Sequence, residues 1–112
     1  MYKIYHRQPL YPGLVFSDQE PLPADTLDWP ASYQEVAHVE AENMEEAYIK
    51  TQHLDIAWWH PPLHRGWHNR GVKAIQMSRS TSVGDVIQDE QGELWAVVAT
   101  GFVKITGQEV NA

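Results

Sequence analysis

The sequence has no cysteine, and it has no apolar run as long as a membrane span. Without cysteine the chain can form no disulfide and no thiolate metal site, and cysteine catalysis is excluded. A membrane-spanning helix needs about 20 consecutive apolar residues, so we expect no membrane contact. The first residues also lack a charged-then-apolar leader, which favours a cytoplasmic location.

Charge of one sign is missing from two long segments. Residues 56–84 contain no aspartate or glutamate, and residues 18–46 contain no lysine or arginine. The formal net charge of −7 argues against broad binding to a phosphate backbone. Either the two segments pack together and neutralise each other, or one of them meets a partner. The acidic segment carries nine carboxylates: Asp18, Glu20, Asp25, Asp28, Glu35, Glu40, Glu42, Glu45 and Glu46.

The length of 112 residues suits a single domain, 1–112, and 43% hydrophobic residues are enough to build a core. Five Trp and five Tyr are an aromatic surplus for this length. Prolines recur between residues 8 and 32 and predict a long loop there. A second loop, rich in His and Trp, is predicted over residues 55–71.

Alternating apolar residues predict short strands, and one helix is predicted from Met44 to Leu54. Asn43 and Glu46 have the spacing of a capping box at its start. The element order β-β-α-β-β-β predicts an α+β fold, an antiparallel sheet of about five strands with the helix packed on it. Six segments have a strand-like pattern, one more than that order counts: Tyr2–Arg7, Tyr33–Ala41, Val72–Met77, Val86–Gln88, Leu94–Ala99 and Phe102–Ile105.

Three histidines, His60, His64 and His68, are each four residues apart. On one continuous helix they would share a face and could bind zinc or another divalent metal. Pro61, Pro62 and Gly66 interrupt such a helix, so a loop without metal is the main interpretation, and a metal site is the alternative.

Aromatic and cationic side chains alternate in the same loop. Trp58, Trp59 and Trp67 lie close in sequence to Arg65 and Arg70. Such a mixture is typical of protein-binding hot spots and of single-stranded nucleic-acid sites. The structural alternative is that two of the indoles complete the core and the arginine stems cover them. Protein contact through these five residues is the functional interpretation.

The segment Ser80 to Asp85 predicts a structural turn. The side chains of Ser80, Ser82 and Asp85 can accept hydrogen bonds from nearby backbone N–H groups, and Gly84 can adopt a backbone conformation that is strained for other residues. We therefore interpret these four residues as holding the connection before a hairpin.

The segments Glu35–Ala41 and Arg79–Val86, followed by Asp89–Gly92 and Gly101–Phe102, carry a resemblance to known proteins. They resemble small uncharacterised bacterial and phage proteins with an R-S-x-S-V-G-D-V hallmark. That hallmark is similar to YodL-like domains of mobile elements. The same turn and hairpin also resemble, more loosely, a pattern found in PUA-like RNA-binding barrels. The resemblance implies a phage or mobile-element origin and brings no cofactor or catalytic residue.

We expect a non-enzymatic protein-interaction module, with a host defence component as the partner class. Phosphate-binding loops, nucleophile elbows and metalloprotease helices are missing, so an enzyme is the less favoured class, although a site assembled from distant residues stays open. A small nucleic-acid-binding domain that uses Arg65, Arg70 and Lys73 is one alternative. The histidine metal protein is the other, and the module could also form a homodimer.

Overall fold

The structure is a computed structural model that describes residues 1–8, 22–23, 28–52, 58–59, 71–98 and 101–106. Among these residues no helix is long and apolar enough to cross a membrane. The elements, in chain order, are β1 (Tyr2–Arg7), β2 (Leu22–Pro23), β3 (Tyr33–Val39), α1 (Met44–Lys50), β4 (Val72–Ala74), β5 (Val86–Gln88), β6 (Leu94–Val98) and β7 (Gly101–Thr106).

The strands form one sheet in the order β2-β7-β6-β5-β1-β3-β4. Six of them pair antiparallel, and the two-residue β2 joins the edge parallel to β7. The predicted α+β class with an antiparallel sheet and one helix is confirmed, and about five strands was roughly right. The segment 8–32 was predicted as a loop because of its prolines, but it contains the two-residue strand β2.

A β-bulge interrupts the pairing of β1 with β3. Ile4 lies opposite Ala37, but Tyr5 lies opposite Glu35, so Val36 is an extra residue on β3. A bulge lets two consecutive side chains escape strict alternation. Both Val36 and Ala37 are accordingly buried.

The two faces of the sheet each carry an apolar cluster, because successive side chains on a strand point to opposite faces. One cluster is completed by partly buried Tyr5, Trp29, Tyr33 and Val83, and its buried members are Val86, Leu94, Ala96, Val98, Val103 and Ile105. The other lies under helix α1, and its buried members are Ile4, Val36, Ala37, Val39, Ala47, Trp58, Ile87 and Val97.

Helix α1 begins as the sequence predicts. The side chain of Asn43 accepts a hydrogen bond from the Glu46 N–H at 2.8 Å, and the Glu46 carboxylate accepts one from the Glu42 N–H at 2.7 Å. These bonds satisfy backbone donors that have no partner within the helix. The helix ends earlier than predicted, at Lys50, where Thr51 is the C-cap.

The hairpin between β5 and β6 turns at Asp89. The Asp89 side chain accepts hydrogen bonds from the N–H groups of Gln91 and Glu93, both at 2.9 Å. Gly92 has φ +85°, a conformation that favours glycine. The hairpin sets the position of the loop that precedes β5.

Candidate functional site

A buried polar cluster joins β1, the end of α1 and the loop before β5. Asp85 is its centre: its side chain is 1% exposed. One carboxylate oxygen, Oδ1, accepts from the Arg7 N–H at 2.9 Å, and the other, Oδ2, accepts from the Ser82 N–H at 2.7 Å. The Asp85 N–H also donates to the Ser82 carbonyl at 3.0 Å. These contacts agree with the structural role predicted for Asp85 in the turn.

Arg79 binds the same carboxylate with both ends of its guanidinium. Its Nη1 lies 2.7 Å from Asp85 Oδ2, and its Nη2 lies 2.9 Å from Asp85 Oδ1. The guanidinium also donates to the carbonyls of Ser80 and Arg7, at 2.9 and 3.1 Å. Two-pronged pairing of this kind fixes geometry as well as charge. It ties the loop before β5 to the end of β1.

Gly84 completes the turn and is held from two sides. Its φ is +95°, which favours glycine, and its N–H donates to the Val97 carbonyl at 2.8 Å. The Gly84 carbonyl accepts from the Tyr33 hydroxyl at 2.6 Å. Tyr33 also packs edge-on against Trp29, so the aromatic cluster on this face is anchored to the turn.

His6 begins a chain of buried hydroxyl hydrogen bonds. Its Nε2 lies 3.0 Å from Thr81 Oγ1, which donates to Thr51 Oγ1 at 2.8 Å. The Thr51 hydroxyl donates in turn to the carbonyls of Ala47 and Tyr48, both at 3.1 Å. Since each hydroxyl has one proton, Thr81 can only accept from His6. His6 is therefore protonated on Nε2 in its neutral form.

Burial lowers the pKa of His6 from 6.5 to about 4. Removal from water is the largest cause; nearby Asp85 raises this pKa and Arg79 lowers it again. His6 Nε2 is 3.8 Å from Asp85 Oδ2, yet the ring is neutral at pH 7, so the two groups form no ion pair there. The other ring nitrogen, Nδ1, is buried and has no hydrogen-bond partner among the described residues.

Acid is expected to weaken the fold through His6. Between pH 6.5 and 4 the unfolded chain binds a proton at this histidine that the folded chain does not bind. The stability present above pH 6.5 should fall by about 3 kcal/mol as the pH drops through this window. Urea unfolding at several pH values measures the slope. The variant His6→Gln keeps a donor for Thr81 but does not titrate, so its slope between pH 6.5 and 5 should be flatter. Parallel slopes would contradict this role of His6.

The cluster has a structural rather than a catalytic arrangement. Asp85 lies near the same ring nitrogen of His6 that contacts Thr81, whereas a nucleophilic triad needs the acid and the hydroxyl on opposite nitrogens. His6, Thr81 and Asp85 are at most 1% exposed, so they offer a substrate no surface. The sequence did not predict the roles of His6, Thr51 and Thr81, because they lie far apart in the chain.

Trp58 lies in the core, so the prediction that its indole faces a partner is wrong. Its exposure is 0%, and its Nε1 donates to the Arg79 carbonyl at 2.7 Å. The ring also lies edge-on to His6, with centroids 6.3 Å apart. An enclosed indole whose N–H is already bonded has no surface for recognition. Trp59 is partly buried and packs against the same cluster.

Most of the predicted histidine and arginine sites lie outside the described residues. The sequence interpretation of these positions stays a prediction. Within the segments that the structure describes, no group of three His, Asp or Glu side chains could hold a metal ion. The positions concerned are His60, His64, Arg65, Trp67, His68 and Arg70.

Among the described residues, strand β4 and the segment after it combine exposed apolar side chains with the edge of the sheet. We call Val72, Lys73, Ala74, Ile75 and Met77 the β4 edge surface. Ile75 is 48% exposed and Met77 is 77% exposed, and Lys73 and Ala74 are exposed as well. β4 is the last strand of the sheet on its side. Exposed large apolar side chains and an unpaired sheet edge are both features of surfaces that bind other proteins.

Cationic side chains lie in one cross-strand row that ends at this edge. Lys3 on β1 is opposite His38 on β3, which is opposite Lys73 on β4. Within the described residues, Lys3 and Lys73 form no salt bridge. His38 contacts Glu35 instead, which the bulge brings to the same face. The β4 edge surface therefore carries a cation whose charge is not neutralised by a contact with a described residue.

Comparisons of the chain with known proteins complete the description of the site. No family model, no curated protein and no solved structure matches this chain.

Proposed function

We propose that this chain is a protein-interaction module that binds its partner through the β4 edge surface. The observation that carries the proposal is the exposure of Ile75 and Met77 directly after an edge strand. Methionine is enriched at protein interfaces, and the centre of an interface is more apolar than its rim. Two such side chains beside open backbone groups combine apolar contact with directional hydrogen bonding in a small area.

The buried polar cluster supports this proposal indirectly. Asp85, Arg79 and His6 are engaged in holding the loop before β5 to β1 and α1. The burial of Asp85 and His6 and the hydrogen bonds of all three residues favour a structural role for this group of titratable side chains over a catalytic one. The resemblance drawn from the sequence favours a host protein, such as a defence component, as the partner.

The two alternatives depend on other residues. Nucleic-acid binding would use Arg65 and Arg70 together with exposed Lys73, against a formal net charge of −7. Metal binding would use the three histidines of the His/Trp loop. No contact among the described residues favours either alternative over protein binding.

Affinity capture with single-residue variants tests the proposal. The tagged protein, Ile75→Lys and Met77→Lys are used as baits in extracts of a candidate host, and the captured protein is then purified. Calorimetry with that purified partner should give saturable binding to the wild type. Each variant should weaken it by about tenfold or more, since truncation at the centre of an interface has effects of that size.

Ile49→Lys is the matched control. Ile49 is 43% exposed but lies on helix α1 rather than beside β4, and the variant makes the same change of charge. Its affinity for the purified partner should equal that of the wild type. If no captured protein binds saturably in purified form, the interaction module is refuted. If Ile49→Lys weakens binding as much as Met77→Lys, the assignment to the β4 edge surface is wrong.

A further inference from the structure

The hydrogen bonds between β3 and β4 show which backbone groups of β4 point outward. The Gly71 carbonyl accepts from the Glu40 N–H at 3.0 Å, and the Ile75 N–H donates to the Val36 carbonyl at 2.7 Å. In an antiparallel pair, alternate residues bond to the neighbouring strand. Gly71, Lys73 and Ile75 therefore face β3, and the residues between them direct their N–H and C=O groups away from it.

The outward groups belong to Val72 and Ala74. No other described strand pairs with β4 on that side, and neither residue forms an outward backbone hydrogen bond with a described residue. Open edge groups spaced two residues apart are a template for another strand. A strand that used them would bond to both residues and would lie opposite Lys73 in between.

The side chains of β4 specify what such a strand should carry. Lys73 shares its face with His38 and Lys3, whereas Val72 and Ala74 point to the opposite face, where Val72 packs against the apolar cluster under α1. A residue opposite Lys73 would form a non-hydrogen-bonded pair, in which the side chains are closest. An acidic residue there, flanked by apolar residues, complements both faces.

We propose, as a deepening of the proposed function and resting on it, that β4 accepts an extended partner segment with the pattern apolar-acidic-apolar. The segment adds to the sheet beside β4, with the acidic side chain opposite Lys73 and the apolar side chains opposite Val72 and Ala74. Backbone hydrogen bonds supply the docking, and the alternate side chains supply the selectivity.

A second copy of this chain is a poorer occupant. The antiparallel register that pairs all three β4 residues with their copies sets Lys73 directly against the partner copy's lysine at the same position. Like charges directly opposite each other destabilise a strand pair. Two chains that each carry a formal net charge of −7 also repel each other overall.

A synthetic peptide tests the proposal. The probe is an eight-residue blocked peptide with a central valine-glutamate-valine, and the matched peptide has lysine in place of the glutamate. Titration into isotope-labelled full-length protein, followed by NMR, should shift the amides of residues 72–74 most. The N–H groups of Val72 and Ala74 should exchange rapidly in the free protein and become protected with the glutamate peptide. The glutamate peptide should bind about three to ten times more tightly than the lysine peptide.

Three variants sharpen the test. Lys73→Glu should reverse the preference, so that the lysine peptide binds more tightly. Ala74→Pro removes one outward donor, which an edge strand tolerates, and should weaken binding about fivefold. Lys104→Glu makes the same charge change on β7, which four strands separate from β4 in the sheet order, and should leave the peptide preference as it is.

Each outcome decides between occupants. If neither peptide shifts residues 72–74, or if both bind equally, the strand-addition inference is wrong. If Val72 and Ala74 are already protected in the dilute free protein, part of the same chain occupies the edge and the inference also fails; protection that appears only at high protein concentration would indicate a second copy. The proposed function would survive these failures if the purified partner still depended on Ile75 and Met77.

Discussion

Replacing Asp85 with asparagine is expected to destabilise the fold by about 2–4 kcal/mol, because a buried carboxylate loses its charge and two of the donors that it binds lose their acceptor. Each carboxylate oxygen accepts one backbone N–H and one guanidinium N–H. In either orientation, the amide NH₂ of asparagine would face two of these donors and could accept from neither. The bidentate partner, Arg79, would lose its only carboxylate contact among the described residues.

Urea unfolding at pH 7 measures this loss, and Glu93→Gln is the matched control. Glu93 also pairs with a cation, Lys104, at 3.0 Å, but both side chains are more than two-fifths exposed. Exposed pairs contribute about 0–1 kcal/mol, so the control should unfold almost like the wild type. Equal effects of the two substitutions would show that burial of Asp85 does not matter for stability.

Replacing Trp58 with alanine is expected to cost about 3–5 kcal/mol, the range for deletion of a buried large aromatic side chain. The indole is completely enclosed in the cluster under α1, and its N–H bonds to the Arg79 carbonyl. Removing it leaves a cavity between β1, β3 and the helix and leaves that carbonyl without this donor. Trp58→Phe should cost less, because it fills most of the cavity and loses mainly the hydrogen bond.

The stabilities of Trp58→Ala and Trp59→Ala, measured by thermal or urea unfolding, show whether Trp58 is a core residue or a partner-contact residue. Trp59 is only partly buried, so its truncation should cost clearly less than that of Trp58. If Trp58→Ala unfolded like the wild type and instead lost binding to a purified partner, the placement of Trp58 in the core would be refuted.

Local patterns predicted the elements whose cause is local. The capping of α1 by Asn43 depends on residues three apart in the chain, and the hairpin at Asp89 depends on a turn of a few residues. The strand predicted over Tyr2–Arg7 places Ile4 and His6 on one buried face, because side chains alternate along a strand. In all three cases the stabilising partner lies within a few residues or on the same strand, so the pattern is visible in the printed sequence.

Such local patterns could not predict where β4 ends or that the short strand β2 exists. The segment from Val72 to Met77 was predicted as a strand of six residues, but only Val72–Ala74 pair regularly with β3. Val36, the extra residue of the bulge, accepts from both Ile75 and Gln76, and the regular ladder ends there. β2 forms through pairing with β7, which is distant in sequence.

By itself, the sequence determined the α+β class and the antiparallel sheet with one helix, because periodicity and caps act over a few positions. Only the tertiary structure decided that Trp58 belongs to the core, that His6 is a buried neutral ring, and that Lys73 lies on the edge strand of the described sheet. Each of these depends on which distant strand or loop removes a side chain from water. That is a property of sheet order, and no spacing along the chain encodes it in a readable form.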